Sequence, residues 1–94
     1  MMVNKHIYVY GADWCSDTRR VKEVLERANA PYEFFDTDVN EESKDFVMKV
    51  NEFMLGVAKV KIPVVRVGDG KNAILLIEPT AEDMEIAISE SCRI

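Results

Sequence analysis

The chain is poor in cysteine, histidine and basic tracts, and each scarcity removes a class of function. Two cysteines in 94 residues are too few for a disulfide-stapled secreted domain, so reduced thiols are expected. The single histidine, His6, stands at a strand start; it offers no metal site and reads as a partly exposed structural residue. A net charge of −5 with no run of lysine or arginine argues against nucleic acid as the main partner. The longest apolar run, Ala73-Ile74-Leu75-Leu76-Ile77, is too short to span a bilayer. His6 and Asp13 bracket only a strand-length apolar segment near the N-terminus, which is not the core of a signal peptide. A cytoplasmic protein with no membrane association is the expectation.

What is present is ordinary for a globular protein. Hydrophobic residues at 48% and charged residues at 31% suffice for one core, and the length allows one domain, residues 1–94. A monomer fits this size and charge. Acidic residues gather at 36–45 and 78–90, while Lys59, Lys61 and Arg66 form a local positive cluster; most of this charge reads as solvated surface. No repeat, low-complexity tract or linker divides the chain.

Periodicity orders the elements. Residues 5–10 form a β-branched and aromatic strand, and Ser16 to Asn29 carries Val21, Val24, Leu25 and Ala28 at helical spacing. Ala30-Pro31 ends that helix, and Tyr32-Glu33-Phe34-Phe35-Asp36 follows as a second strand. Asn40 suits the N-cap of a second helix, with Glu41 and Glu42 at its positive end and Phe46, Val47, Val50, Phe53 and Met54 repeating as far as Gly56. The Gly68-Asp69-Gly70-Lys71-Asn72 turn predicts an antiparallel hairpin between Pro63–Val67 and Ala73–Glu78. Pro79-Thr80 opens a last helix, in which Met84, Ala87 and Ile88 face the sheet. The order β-α-β-α-β-β-α, with its early crossover helix, implies parallel first and second strands in a mixed four-stranded α/β sheet with helices on both sides.

The most informative stretch is Tyr10-Gly11-Ala12-Asp13-Trp14-Cys15-Ser16-Asp17-Thr18-Arg19-Arg20. It places Cys15 at the mouth of the first helix, where unpaired N–H groups and the helix dipole favour a thiolate, the nucleophilic form of the side chain. One turn on, where a Cys-x-x-Cys site has its resolving thiol, stands Thr18, so this motif cannot close a disulfide. The Thr18 hydroxyl either donates to the Cys15 thiolate or is an ordinary first-turn residue. Asp13 and Asp17 oppose a negative sulfur by repulsion, and Arg19 and Arg20 can offset them. A helix from Thr80 to Ser91 carries Cys92 roughly 16 Å from the site end at 1.5 Å per residue. A disulfide needs Cα atoms within about 7 Å, so Cys92 reads as an incidental thiol.

The element order, with Trp14-Cys15 at the first strand-to-helix turn, resembles the thioredoxin fold and specifically the glutaredoxins, over about His6 to Ser89. Three landmarks carry the resemblance: Tyr10–Cys15 with its helix, Lys61-Ile62-Pro63-Val64, and Ile77-Glu78-Pro79-Thr80-Ala81-Glu82-Asp83. The chain departs from the family at Thr18, at Ala12 where many members have lysine, and at Glu78-Pro79 where they have Gly-Gly. Its ending is more similar to mycoredoxin-type proteins. The departures bear on tight glutathione binding and leave the sulfur chemistry intact.

The resemblance implies a thiol–disulfide oxidoreductase with Cys15 as nucleophile and Thr18 beside it. It implies that the Ile62–Pro63 bond is cis and faces the sulfur, with the Ile62 backbone pairing strand-like with a bound thiol. Trp14 shapes access and Lys61 can bind a carboxylate; Lys59 is a weaker candidate for the same role. Thr80 caps the last helix and can receive a ligand carboxylate there. The partners implied are a low-molecular-weight thiol (glutathione or an equivalent) as co-substrate and S-thiolated or disulfide client proteins, with no bound cofactor. Missing its resolving cysteine, the site favours a monothiol mechanism on mixed disulfides. Two other readings stand beside it: an iron–sulfur carrier in which Cys15 and an external thiol from each of two subunits hold a cluster, and a redox-inactive binding module.

Overall fold

The computed structural model describes residues 6–57, 60–70 and 73–91. Within them the chain runs β1 (Ile7–Gly11), α1 (Ser16–Arg27), β2 (Glu33–Asp36), α2 (Glu41–Leu55), β3 (Val64–Val67), β4 (Ile74–Ile77) and α3 (Ala81–Ser91). The strands form one sheet in the order β2-β1-β3-β4. β1 and β2 are parallel, with Val9 opposite Phe34, the pairing that a crossover through α1 permits. β3 lies antiparallel to both β1 and β4, pairing Val9 with Val65 and Val65 with Leu76.

Alternation along the strands divides the core in two. Ile7, Val9, Val65 and Val67 face α1 and α3 and meet Val21, Leu25, Met84, Ala87 and Ile88. Tyr10 and Val64 point to the other face, against Val47 and Val50 of α2. Fully burying a side chain such as Leu25 is worth about 1.5–3 kcal/mol, and this double cover explains why β1 reads as a nearly continuous apolar run.

Local signals set the helix ends. Asn40 caps α2 by accepting from the Ser43 N–H at 2.9 Å, worth about 1 kcal/mol. Gly56, at φ 77°, closes the same helix in the left-handed region with its N–H on Glu52 O, a conformation open to glycine at little cost.

Several boundaries differ from the sequence reading. α1 stops at Arg27, because Asn29 turns left-handed at φ 53° and Ala30 N–H closes on Leu25 O; Ala28 is thereby exposed. β4 ends at Ile77, because Glu78 takes φ 48°. Phe53 and Met54 leave the expected apolar face: Phe53 is 85% exposed. The buried stripe of α2 is Ser43, Val47, Val50 and Asn51, and it ends at Asn51, whose amide reaches the loop before β3. Lys71 and Asn72 of the expected turn, Lys59 and Cys92 lie outside the described residues.

Tyr32 ties the start of β2 to α1 by donating to Glu26 Oε2 at 2.7 Å. Burial first, and then this bond to a carboxylate, push its phenol up to about 12. The folded state therefore keeps this proton at a pH where the unfolded chain releases it. The resulting stability is fully present below pH 10 and is lost between about 10 and 12. In alkaline urea titrations, Tyr32→Phe is expected to flatten the fall in stability across that window. An unchanged slope would remove Tyr32 as its source.

Candidate active site

The C-terminal ends of β1 and β2 open side by side, stitched by the Thr37 N–H on Gly11 O at 2.9 Å. The edge beyond the carboxyl ends of parallel strands is where α/β sheets place their sites. Cys15 sits there as the N-cap of α1, in extended conformation, with its carbonyl accepting from Arg19 N and its N–H donating to Ala12 O. Its side chain makes no capping bond, so a half-buried sulfur holds the position where an N-cap oxygen usually meets the first-turn N–H groups. An anionic sulfur is complementary to those groups.

Across the opening lies the Ile62–Pro63 segment, and the bond between them is cis. Cys15 Sγ faces the Ile62 carbonyl oxygen at 4.0 Å, a long and weak thiol contact that brings the two segments together. Pro63 O accepts from the Glu78 N–H at 2.8 Å, which draws the approach to α3 against the same loop. The structure thus gathers Cys15, Ile62 and Pro63, with Trp14 next to Cys15 in the turn and Thr80 two residues beyond the Glu78 that bonds Pro63.

Thr18 turns inward. It is fully buried, and its hydroxyl accepts from the Ala12 N–H at 3.4 Å. Among the described residues no hydrogen bond links it to Cys15; its hydroxyl meets the Ala12 N–H instead. Its Oγ1 would lie 2.4 Å from a Cβ built on Gly11, so the turn fits only because position 11 has no side chain.

The acids beside the sulfur are paired along α1. Asp17 binds Arg20 at 2.7 Å. Asp13 binds Lys22 at 2.6 Å, while Arg19 donates to the Asp13 carbonyl at 2.8 Å. Lys22, which also lies 3.7 Å from the Phe34 ring centroid, takes the part the sequence reading gave to Arg19. Both pairs are at least partly solvated and contribute little to stability; they offset two negative charges at the helix mouth.

Trp14 is 68% exposed, and its indole Nε1 donates to Asp38 Oδ2 at 2.6 Å. Beside it a groove of about 460 Å³ runs between Trp14, Val39, Lys44 and Val60. Asp38 was not singled out from sequence; the signal was its place just after a strand whose end neighbours that of β1. Lys61 is exposed, and among the described residues its ammonium has no acidic partner. Arg66 does not join it. That residue lies over the Tyr8 ring at 4.3 Å and 3.6 Å from Asp69, with His6 Nδ1 3.1 Å from the same carboxylate, two residues further along β3 from the site end. Thr80 caps α3 reciprocally with Asp83: the Thr80 N–H donates to Asp83 Oδ2 and Thr80 Oγ1 accepts from Asp83 N, both at 3.1 Å. The helix end expected to receive a ligand carboxylate is therefore occupied by the chain's own.

Among the described residues no three histidine, cysteine or acidic side chains group as a metal site, and no helix is long and apolar enough to cross a membrane.

Residues 7–71 match the family model described as Glutaredoxin. No curated protein matches the chain. Among solved structures, the glutaredoxin from Archaeoglobus fulgidus is similar at a TM-score of 0.64 and 25% identity, over 87% of this chain and 84% of that one. The glutathione transferase Omega 2S from Trametes versicolor, in complex with 2,4-dihydroxybenzophenone, shares the fold at a TM-score of 0.63 and 17% identity. That match covers 93% of this chain and 38% of the transferase.

Proposed function

The chain belongs to the glutaredoxin family, and on that premise we propose that it reduces mixed disulfides between proteins and a small thiol using Cys15 alone. The observation that carries the reading is the sulfur at the uncapped mouth of α1, facing Ile62, with a buried threonine where a resolving cysteine would stand. The Cys15 thiolate attacks the small-thiol sulfur of the mixed disulfide. A Cys15–small thiol bond forms, the original S–S bond breaks, and the client sulfur leaves as a thiolate that takes a proton from water. A second small thiol, as thiolate, then attacks the adduct; Cys15 leaves as thiolate and the two small thiols depart joined. Each turnover consumes one free small thiol, which leaves joined to the small thiol already present in the mixed disulfide while the client sulfur leaves reduced, with no metal or organic cofactor required.

The first-turn N–H groups of α1 hold negative charge on sulfur in both steps. The Ile62 backbone pairs with the peptide part of the substrate, Pro63 sets that segment against Cys15, and Trp14 bounds the entry. Lys61, a cation within the segment with no acidic partner among the described residues, suits a carboxylate of the small thiol. Thr80 takes a ligand carboxylate only if Asp83 is displaced. The clients are S-thiolated proteins, the protein acts as a monomer, and the chemistry belongs to a reducing compartment such as the cytoplasm.

The test is reduction of a glutathionylated peptide, with small thiols supplied in turn to wild-type protein and to Cys92→Ser. Equal turnover in the two proteins is expected, with the order in small-thiol concentration showing the second exchange. Loss of turnover in Cys92→Ser would make Cys92 a resolving thiol and overturn the single-sulfur mechanism. No turnover with any thiol would overturn the oxidoreductase reading.

A further inference from the structure

Asn51 is a costly residue for its position. It lies fully buried on α2 in a stripe that otherwise runs through Val47 and Val50. Its Nδ2 donates to Val47 O one turn back at 2.9 Å and to Lys61 O at 3.3 Å. Its Oδ1 is buried and has no partner among the described residues. A buried amide with an unmet acceptor is less stable than an apolar side chain of the same volume, and the bond to Val47 O stays within its own helix. What the asparagine adds is its hold on the Lys61–Ile62 peptide.

That peptide is trans, the cis bond being the next one along, and a trans unit directs its C=O and N–H to opposite sides. With the Lys61 carbonyl drawn in toward α2, the Ile62 N–H points away from the helix. Among the described residues it meets no acceptor. The same residue's carbonyl faces Cys15 Sγ, so a backbone donor with no acceptor among the described residues stands at the mouth of the sulfur.

We propose that Asn51 is a positioning residue: it turns the Lys61–Ile62 peptide so that the Ile62 N–H is offered to a backbone carbonyl of a peptide thiol joined to Cys15. The proposal rests on the reading of Cys15 as the point of attachment and adds the residue that sets the donor's direction. Asn51 touches no reacting atom, so its effect falls on how peptide substrates are held and not on sulfur exchange itself.

The test attaches a cysteine-containing tripeptide to Cys15 through its activated 2-pyridyl disulfide, in protein carrying Cys92→Ser, and follows exchange of the Ile62 amide proton by NMR. With Asn51 present, the adduct is expected to slow that exchange about five- to tenfold, the worth of one neutral hydrogen bond. With Asn51→Leu, or Asn51→Ser, whose hydroxyl reaches only its own helix, the adduct is expected to leave exchange within about twofold of the free protein. Equal slowing in either variant would overturn the proposal. So would no slowing with Asn51 in place, an arm that needs no variant to fold. Loading by an activated disulfide does not depend on turnover. Protection without turnover would therefore uphold Asn51 and overturn the oxidoreductase reading, and turnover without protection would do the reverse.

Discussion

Cys15→Ser is expected to lower mixed-disulfide reduction by at least about a thousandfold, since loss of a sole nucleophile costs on that order or more. The reason is specific to this site. A hydroxyl needs a neighbouring base to attack, and the single histidine is hydrogen-bonded with Asp69 and Tyr8, at the opposite end of β1 from Cys15. A sulfur nucleophile attacks as its own anion and needs no such base, and the first-turn N–H groups of α1 are complementary to negative charge. The fold should gain. Cys15 is an N-cap without a side-chain capping bond, and serine is among the best N-cap residues, so urea unfolding should show the variant unchanged or up to about 1 kcal/mol more stable. Activity and stability then move in opposite directions, which separates a lost nucleophile from a damaged fold. Residual turnover above about one part in a hundred would mean a second reactive group and would overturn the single-sulfur mechanism.

The second large effect concerns the support beneath the turn. Gly11→Ala is expected to cost about 2–4 kcal/mol, the upper range for overpacking a core position. The added methyl would sit 2.4 Å from Thr18 Oγ1 and 2.9 Å from its Cγ2, and neither atom has free space to enter, since Thr18 is fully buried. Gly11 also accepts two bonds from Thr37 through its carbonyl, which resists a backbone shift. Thr18→Ala alone should cost about 1–2 kcal/mol, from the lost bond to the Ala12 N–H and the space it leaves. Together the two should be more stable than Gly11→Ala by itself, because removing Oγ1 and Cγ2 makes room for the new methyl. The measurement is a double-mutant cycle by urea unfolding. Additive losses would show that the clash is relieved elsewhere and that Thr18 does not brace the turn.

This coupling explains the choice of residue at position 18. A threonine there cannot complete a disulfide, and its hydroxyl and methyl fill the space under Gly11 and Ala12 instead.

Much of the molecule was legible in the chain because its signals are local. Alternating β-branched residues in Ile7–Gly11, the helical spacing of Val21 and Leu25, and the Asn40 cap each act within a few residues, and the structure contains all of them. Cys15 was visible for the same reason: a strand, a short turn and a helix start define a helix mouth without any tertiary contact. The cis Ile62–Pro63 bond was implied by the family resemblance alone, and the structure contains it.

Other features depend on which distant segments meet. The antiparallel pairing of β1 with β3 joins residues more than fifty positions apart, and it is what carries Pro63 to Cys15. The inward aim of Thr18 depends on the absent side chain of Gly11, the bond from Trp14 to Asp38 on the parallel ends of β1 and β2, and the loss of Phe53 from the core on where α2 meets the sheet. Asn51 is the clearest case. In sequence it is one of several polar residues of α2, between Val50 and Glu52, and only the packing of α2 against the loop before β3 shows that its amide holds the peptide beside the sulfur. Backbone propensity and helix-end signals act over one or two turns of chain, which is why the strands, the helices and the place of Cys15 at the mouth of α1 could be read from residue order alone. Hydrogen bonds and packing across the sheet join residues far apart in the chain, so what surrounds that cysteine and which backbone group it meets follow from the folded packing.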